Sequence, residues 1–123
     1  MQRDFTYVTD LVRAIRLLID AVPPAIEARH EVWPADSLSP AGPFRIVNIG
    51  NNTKVPLMDF ISAIEDTLGF EMKKNMMEMQ AGDVPATWSD TRLLEALTGY
   101  KATTELSDGI PEFVTWYRTY YDV

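Results

Sequence analysis

Residues 3–22 run Arg-Asp-Phe-Thr-Tyr-Val-Thr-Asp-Leu-Val-Arg-Ala-Ile-Arg-Leu-Leu-Ile-Asp-Ala-Val. The opening part, Arg3 to Val8, reads as a short strand, because Phe5, Tyr7 and Val8 are β-formers. The remainder reads as a helix capped by Thr9 or Asp10. Leu11, Ala14, Ile15, Leu18 and Val22 recur at helical spacing and form one apolar stripe. Pro23-Pro24 ends the helix, since proline removes a donor and disfavours helix in the residue before it. A strand feeding a helix is the first half of an α/β unit.

The second half is sought downstream. Pro23 to Pro43 holds five of the eight prolines and reads as a surface excursion carrying Ile26, Val32, Trp33 and Leu38. Phe44 to Ile49, bounded by Pro43 and Gly50, reads as a buried strand, so strand–helix–strand would make a right-handed parallel crossover. Gly50-Asn51-Asn52 is a turn. A helix follows with Pro56 near its first turn, an apolar stripe of Leu57, Phe60, Ile61, Ile64 and Leu68, and Gly69 as its stop. Glu71 to Gln80 fits two patterns: Met77 and Met79 alternate with Glu78 and Gln80 as in a strand, and Met72, Met76 and Met79 fall at helical spacing. The strand is the reading preferred, with the methionines as adaptable core filler. A soft-metal reading of those methionines lacks any Cys or His companion. Gly82-Asp83-Val84-Pro85 is a loop. A helix starting at Ser89 or Asp90 buries Leu93, Leu94 and Leu97 and stops at Gly99. The last helix starts near Ser107, with Ile110, Phe113, Val114, Tyr117 and Tyr121 as its stripe and Trp116 and Tyr120 widening it.

The expected fold class is thus mixed α/β, a small sheet of two or three strands with about four helices, in a single domain over 1–123. So thin a sheet cannot cover both faces of a parallel arrangement. The domain either leans on another subunit or is part of something larger.

Composition narrows the chemistry. Of 123 residues, 46% are hydrophobic and 24% charged, as in folded soluble domains. Eleven Lys and Arg against 18 Asp and Glu leave a net charge of -7, which disfavours nucleic acid as a partner. The absence of cysteine excludes disulfides, thiolate nucleophiles and Cys-ligated zinc. No apolar run reaches the ~20 residues that span a bilayer, and the N-terminus lacks a signal-peptide core, so a cytoplasmic location is expected. No glycines fall at the spacing of a dinucleotide-binding or phosphate-binding loop. His30, the single histidine, sits in the Pro-rich stretch and reads as a solvated loop residue. On the residues alone this is not a self-sufficient enzyme.

Four segments carry a resemblance: Arg3 to Asp10, Asn48-Ile49-Gly50-Asn51-Asn52, Met79-Gln80-Ala81-Gly82-Asp83-Val84-Pro85-Ala86-Thr87-Trp88-Ser89-Asp90, and the tail from Gly109-Ile110 to Trp116-Tyr117. Their order and spacing resemble the C-terminal part of an extended short-chain dehydrogenase/reductase of the NAD-dependent nucleotide-sugar epimerase/dehydratase family, most of all the UDP-glucuronate 4-epimerases. The resemblance covers essentially the whole chain. It implies the substrate-binding lobe, and trailing elements of the nucleotide-binding fold, of an extended Rossmann-type enzyme whose cofactor domain is missing. No cofactor is then expected in this chain; NAD belongs to the full-length family enzyme, with the glycine fingerprint and a Tyr-x-x-x-Lys pair not found here.

The resemblance also implies roles. Arg3 matches the arginine that contacts UDP, and a guanidinium offers a rigid fork to phosphate oxygens. The competing reading pairs Arg3 with Asp4 or Asp10 at the surface. Gly82 and Asp83 match a segment that contacts the ribose; a carboxylate suits two vicinal hydroxyls, and Gly82 permits close approach. The competing reading is an Asp bonding its own turn. Gln80 stands where galactose- and glucose-type relatives carry Arg, so no second cationic clamp is available. Tyr7 either lines the same pocket as Arg3 or packs in the core. The implied function is UDP-sugar binding, weak and without turnover in this chain alone. The alternative is a non-catalytic module that binds a protein partner or self-associates through the uncovered sheet face and the aromatic last helix.

Overall fold

The computed structural model describes residues 1–25 and 36–123. Ile26, His30, Val32, Trp33 and Pro34 of the Pro-rich excursion lie outside the described residues. The elements are β1 (Gln2–Arg3), α1 (Val8–Asp20), β2 (Val55–Pro56), α2 (Leu57–Leu68), α3 (Arg92–Thr98) and α4 (Leu106–Tyr121).

The helices follow local chemistry. Gly69 and Gly99 stop α2 and α3 as expected, at φ +80° and +66°, a left-handed conformation that glycine adopts without strain. Their amides close back on the carbonyls of Glu65 and Glu95, each at 2.8 Å. At α1 the cap differs: Tyr7 is the N-cap, in an extended conformation, and Thr9 and Asp10 lie inside the first turn. The helix ends at Asp20, ahead of the prolines. α3 starts at Arg92, later than expected, with the Asp90 carboxylate accepting from the Arg92 amide at 3.1 Å.

The strands depart further from expectation. β1 and β2 pair antiparallel, Gln2 opposite Pro56 and Arg3 opposite Val55. No parallel strand–helix–strand crossover forms among the described residues, and the expected strand 3–8 is reduced to β1. Phe44 to Ile49 joins no ladder. Instead Ser37 bonds both the amide and the carbonyl of Ile46, and Arg45 forks onto Asp36 at 2.9 and 2.8 Å, closing a local loop. Phe44 and Ile46, expected to be buried, are exposed. Glu71 to Gln80 is irregular, and Met76, Met77 and Met79 are exposed rather than core filler. The cause is shared: a strand needs a neighbour for its amides and carbonyls, and the described chain supplies none to either run.

α2 packs on α4, and α1 on α3. Among the described residues the buried core is small: Ala14, Leu94, Ala102 and Ile110, with Thr91 also buried. Of the expected stripes only these members are buried; Leu11, Ile15 and Val22 of the first, and Phe113, Tyr117 and Tyr121 of the last, are exposed. The accessible surface is 9058 Å², against about 6,700 Å² for a compact protein of this mass. The sequence therefore carries apolar faces that its own elements do not cover.

Gly50 is a point where the chain packs to contact. A Cβ there would sit 1.9 Å from Ser89 Oγ and 2.8 Å from Asp4 Oδ2. Gly50→Ala should therefore destabilise the fold by about 1–3 kcal/mol, the usual range for overpacking. Urea unfolding monitored by circular dichroism checks it; an unchanged midpoint would show that these segments are not in contact.

Candidate functional site

β1 carries Arg3 to the edge along which the 83–87 loop runs. The loop is held there by the Gln2 amide donating to Pro85 O (2.9 Å) and the Thr87 amide donating to Gln2 O (3.2 Å). Arg3 Nη1 donates to Gln2 O at 2.9 Å and to Val84 O at 3.0 Å, and Nη2 donates to Asp83 Oδ1 at 2.9 Å. The two side chains are 27% and 40% exposed, enough for a ligand to reach both. Arg3 thus pairs with neither Asp4 nor Asp10. Gly82 has φ +92°, which turns the chain into this loop, and the Asp83 amide closes the turn on Gln80 O at 3.1 Å. Gln80 is exposed at the start of that turn.

Tyr7 is placed elsewhere. Its ring lies against Gly109, where a Cβ would come within 2.9 Å, and it lines an apolar cavity of about 380 Å³ between α2, α4 and the 5–8 segment. Phe5 and Phe60 stack in the wall at 4.2 Å. Arg3 and Asp83 do not line this cavity. The structure therefore brings together Arg3, Asp83, Gly82 and Gln80, and leaves Tyr7 in packing.

Two carboxylates that no functional reading of the sequence had singled out organise the surroundings. Asp4 Oδ1 accepts from the Asn51 amide (3.1 Å); Oδ2 accepts from the amides of Asn52 (3.1 Å) and Ser89 (3.0 Å) and from Ser89 Oγ (2.5 Å). Asp10 accepts from Tyr100 Oη (2.8 Å) and the amides of Thr103 (3.2 Å) and Thr104 (3.0 Å). Burial would push the Asp10 carboxyl up, but these donors outweigh it and hold the group below its ordinary value. Tyr100 is raised, first by burial and then by the Asp10 carboxylate. A sequence signal did exist for Asp4, a charged residue set directly against three β-formers. Such a group is half-buried only when its lone pairs are satisfied.

Among the described residues no group of three or more His, Cys, Asp and Glu could hold a metal ion. A dinucleotide pyrophosphate needs a glycine-rich turn from strand into helix. The entries to α1 (Phe5-Thr6-Tyr7) and α2 (Val55-Pro56) carry no glycine. These residues do not fit NAD.

No protein-family model matches the chain. Among curated proteins it is 44% identical over 122 residues to a probable UDP-glucuronate 4-epimerase of Rhizobium meliloti, covering 98% of this chain and 36% of that one. It is 44% identical over 126 residues to an uncharacterised 37.6 kDa protein of Escherichia coli O111:H-, covering 100% of this chain and 36% of that one. Among solved structures, MoeE5 in complex with UDP-glucuronic acid and NAD superposes with a TM-score of 0.70 at 25% identity, over 95% of this chain and 33% of that one. A UDP-glucuronic acid 4-epimerase from Bacillus cereus superposes at 0.69 and 24% identity, over 96% of this chain and 32% of that one. The chain spans about a third of the length of the curated relatives it matches.

The chain is homologous to the C-terminal part of NAD-dependent UDP-sugar epimerases, enzymes of Rossmann type. Within that class, several of its sequence relatives carry the name UDP-glucuronate 4-epimerase or probable UDP-glucuronate 4-epimerase.

Proposed function

We propose that this chain is the UDP-sugar-binding portion of a nucleotide-sugar 4-epimerase of the UDP-glucuronate type, an extended short-chain dehydrogenase/reductase of the cytoplasm. The observation that carries the reading is the meeting of Arg3 and Asp83 at 2.9 Å across 80 residues of chain. Three of the five guanidinium N–H donors go to Gln2, Val84 and Asp83, which leaves two for phosphate oxygens. Asp83 gives Oδ1 to Arg3 and keeps Oδ2 for ribose hydroxyls. Gln80, being neutral, adds no second clamp, so phosphate recognition within this chain rests on Arg3. NAD and the hydride chemistry are matters for the longer enzyme.

Titration calorimetry with UDP tests this. The chain should take up UDP weakly, and Arg3→Ala should weaken binding about tenfold or more, the usual loss when a charge-assisted hydrogen bond is removed. Absence of heat at millimolar UDP would overturn the reading.

It would then favour the second reading, association through exposed apolar surface. The observation behind that reading is the ring ladder on α4: Phe113–Trp116 at 5.7 Å, Trp116–Tyr120 at 5.5 Å and Tyr117–Tyr121 at 4.6 Å, all exposed. No described helix is long and apolar enough to cross a membrane.

A further inference from the structure

We propose that Asp4 is a positioning residue for the nucleotide site: its carboxylate fixes the register in which Arg3 meets Asp83. The functional part of this inference rests on the uridine reading above; the structural part does not.

Three observations carry it. First, the Asp4 carboxylate is saturated by donors from two distant segments, the 51–52 turn and Ser89. Second, Ser89 closes the same loop that carries Asp83. Gln2 holds this loop through Pro85 and Thr87, and Asp4 holds it through Ser89, so Arg3 stands between two clamps. Third, the side chain at 50 is missing where it would collide with Asp4 Oδ2 and Ser89, so the approach of the three segments is built into the sequence.

The length scale makes the register matter. One residue of slip along an extended segment is about 3.3 Å. The Arg3–Asp83 contact is 2.9 Å, and such a slip would break it. A carboxylate tied to the loop by two bonds through Ser89, and to the 51–52 turn by two more, opposes that slip, whereas the two Gln2 bonds alone repeat along any extended backbone and do not choose one register. Asp4 touches no substrate atom in this scheme. It acts through Arg3 and Asp83.

The test uses the full 123-residue chain. Amide hydrogen exchange is followed by NMR in Asp4→Ala, Asp4→Asn and Ser89→Ala. Ser89→Ala removes the hydroxyl bond and leaves the three amide bonds, so it keeps the question answerable if Asp4→Ala fails to fold. The amides of Gln2 and Thr87 should exchange about tenfold faster in Ser89→Ala and faster still in Asp4→Ala, with Asp4→Asn between wild type and Ala because one oxygen remains. Amides of α2 and α4 should keep their rates. UDP affinity should fall in the same order at an unchanged melting midpoint in Ser89→Ala, a change that a purely structural role would not produce. Unchanged exchange at Gln2 and Thr87, or UDP affinity unaltered across the series in a chain that does bind UDP, overturns the proposal. If the wild-type chain takes up no UDP, the uridine reading fails, and the exchange rates still decide whether Asp4 sets the register.

Discussion

Leu94→Ala is expected to lower the unfolding free energy by about 3–4 kcal/mol, the middle of the range for truncating a wholly buried leucine. Among the described residues Leu94 is the largest side chain with no accessible surface, and the others at zero or near zero are Ala14 and Ala102. α1 and α3 pack together, and each places one wholly buried side chain in the core, Ala14 and Leu94. Neither alanine can lengthen to fill the space, so the cavity should persist and add to the lost transfer energy. Domains have only about 5–15 kcal/mol in hand, so one such cavity removes a large fraction. Here the margin is narrower, because so few apolar side chains are buried. Urea unfolding at constant m-value measures the loss. Met77→Ala is the control: Met77 is 74% exposed, and its removal should change stability by less than about 0.5 kcal/mol. Equal losses in the two variants would mean that Leu94 is not at the centre of the core.

What was legible in the sequence divides by the range of the interaction. Gly69 and Gly99 were readable as helix stops because the left-handed cap is a property of a few consecutive residues. The four helices were readable from their stripes for the same reason. Phe44 to Ile49 and Glu71 to Gln80 were misread because a strand is completed by a partner, and apolar composition says nothing of whether the chain contains one. The stripes also misled about burial: Ile15 and Tyr117 have core-like spacing yet face outward, consistent with a sequence that matches only a third of its relatives. At the candidate site, resemblance and not periodicity points to Arg3 and Asp83, and the sequence offers Asp4 as no more than a surface partner for Arg3 and Asp10 as that or a helix cap. Their partners, Ser89 and Tyr100, lie 85 and 90 residues away, and only the folded chain puts donors opposite those carboxylates.

That distance makes Asp10 the source of the second large effect, because its contacts exist only in the folded state. Asp10→Ala would strand the Tyr100 hydroxyl and the amides of Thr103 and Thr104. A cost of about 2–3 kcal/mol follows, since hydrogen bonds to a charged group are worth more than neutral ones and two of the abandoned donors, at Tyr100 and Thr104, are half-buried. The charge itself is isolated by Asp10→Asn, which keeps one acceptor oxygen. In the folded chain the Asp10 carboxyl titrates below its ordinary 3.8, through the donors that overcome burial. Its contribution is therefore complete above the unfolded value and is lost as pH falls through the folded one. Wild type should lose stability on acidification from about pH 4 downward, and Asp10→Asn should lose less over the same interval. Asp90 supplies the contrast. It is held to about 2 by Arg92, a larger depression. Yet Arg92 is only two residues away, the pair is exposed, and the same contact can form in the unfolded chain, so little of the shift is differential between the two states. Asp90→Asn should leave the acid limb of the stability curve where it is. A flattened limb in Asp90→Asn and not in Asp10→Asn would mean that the tie between α1 and the 100–104 segment contributes no folding energy, however well its geometry is satisfied.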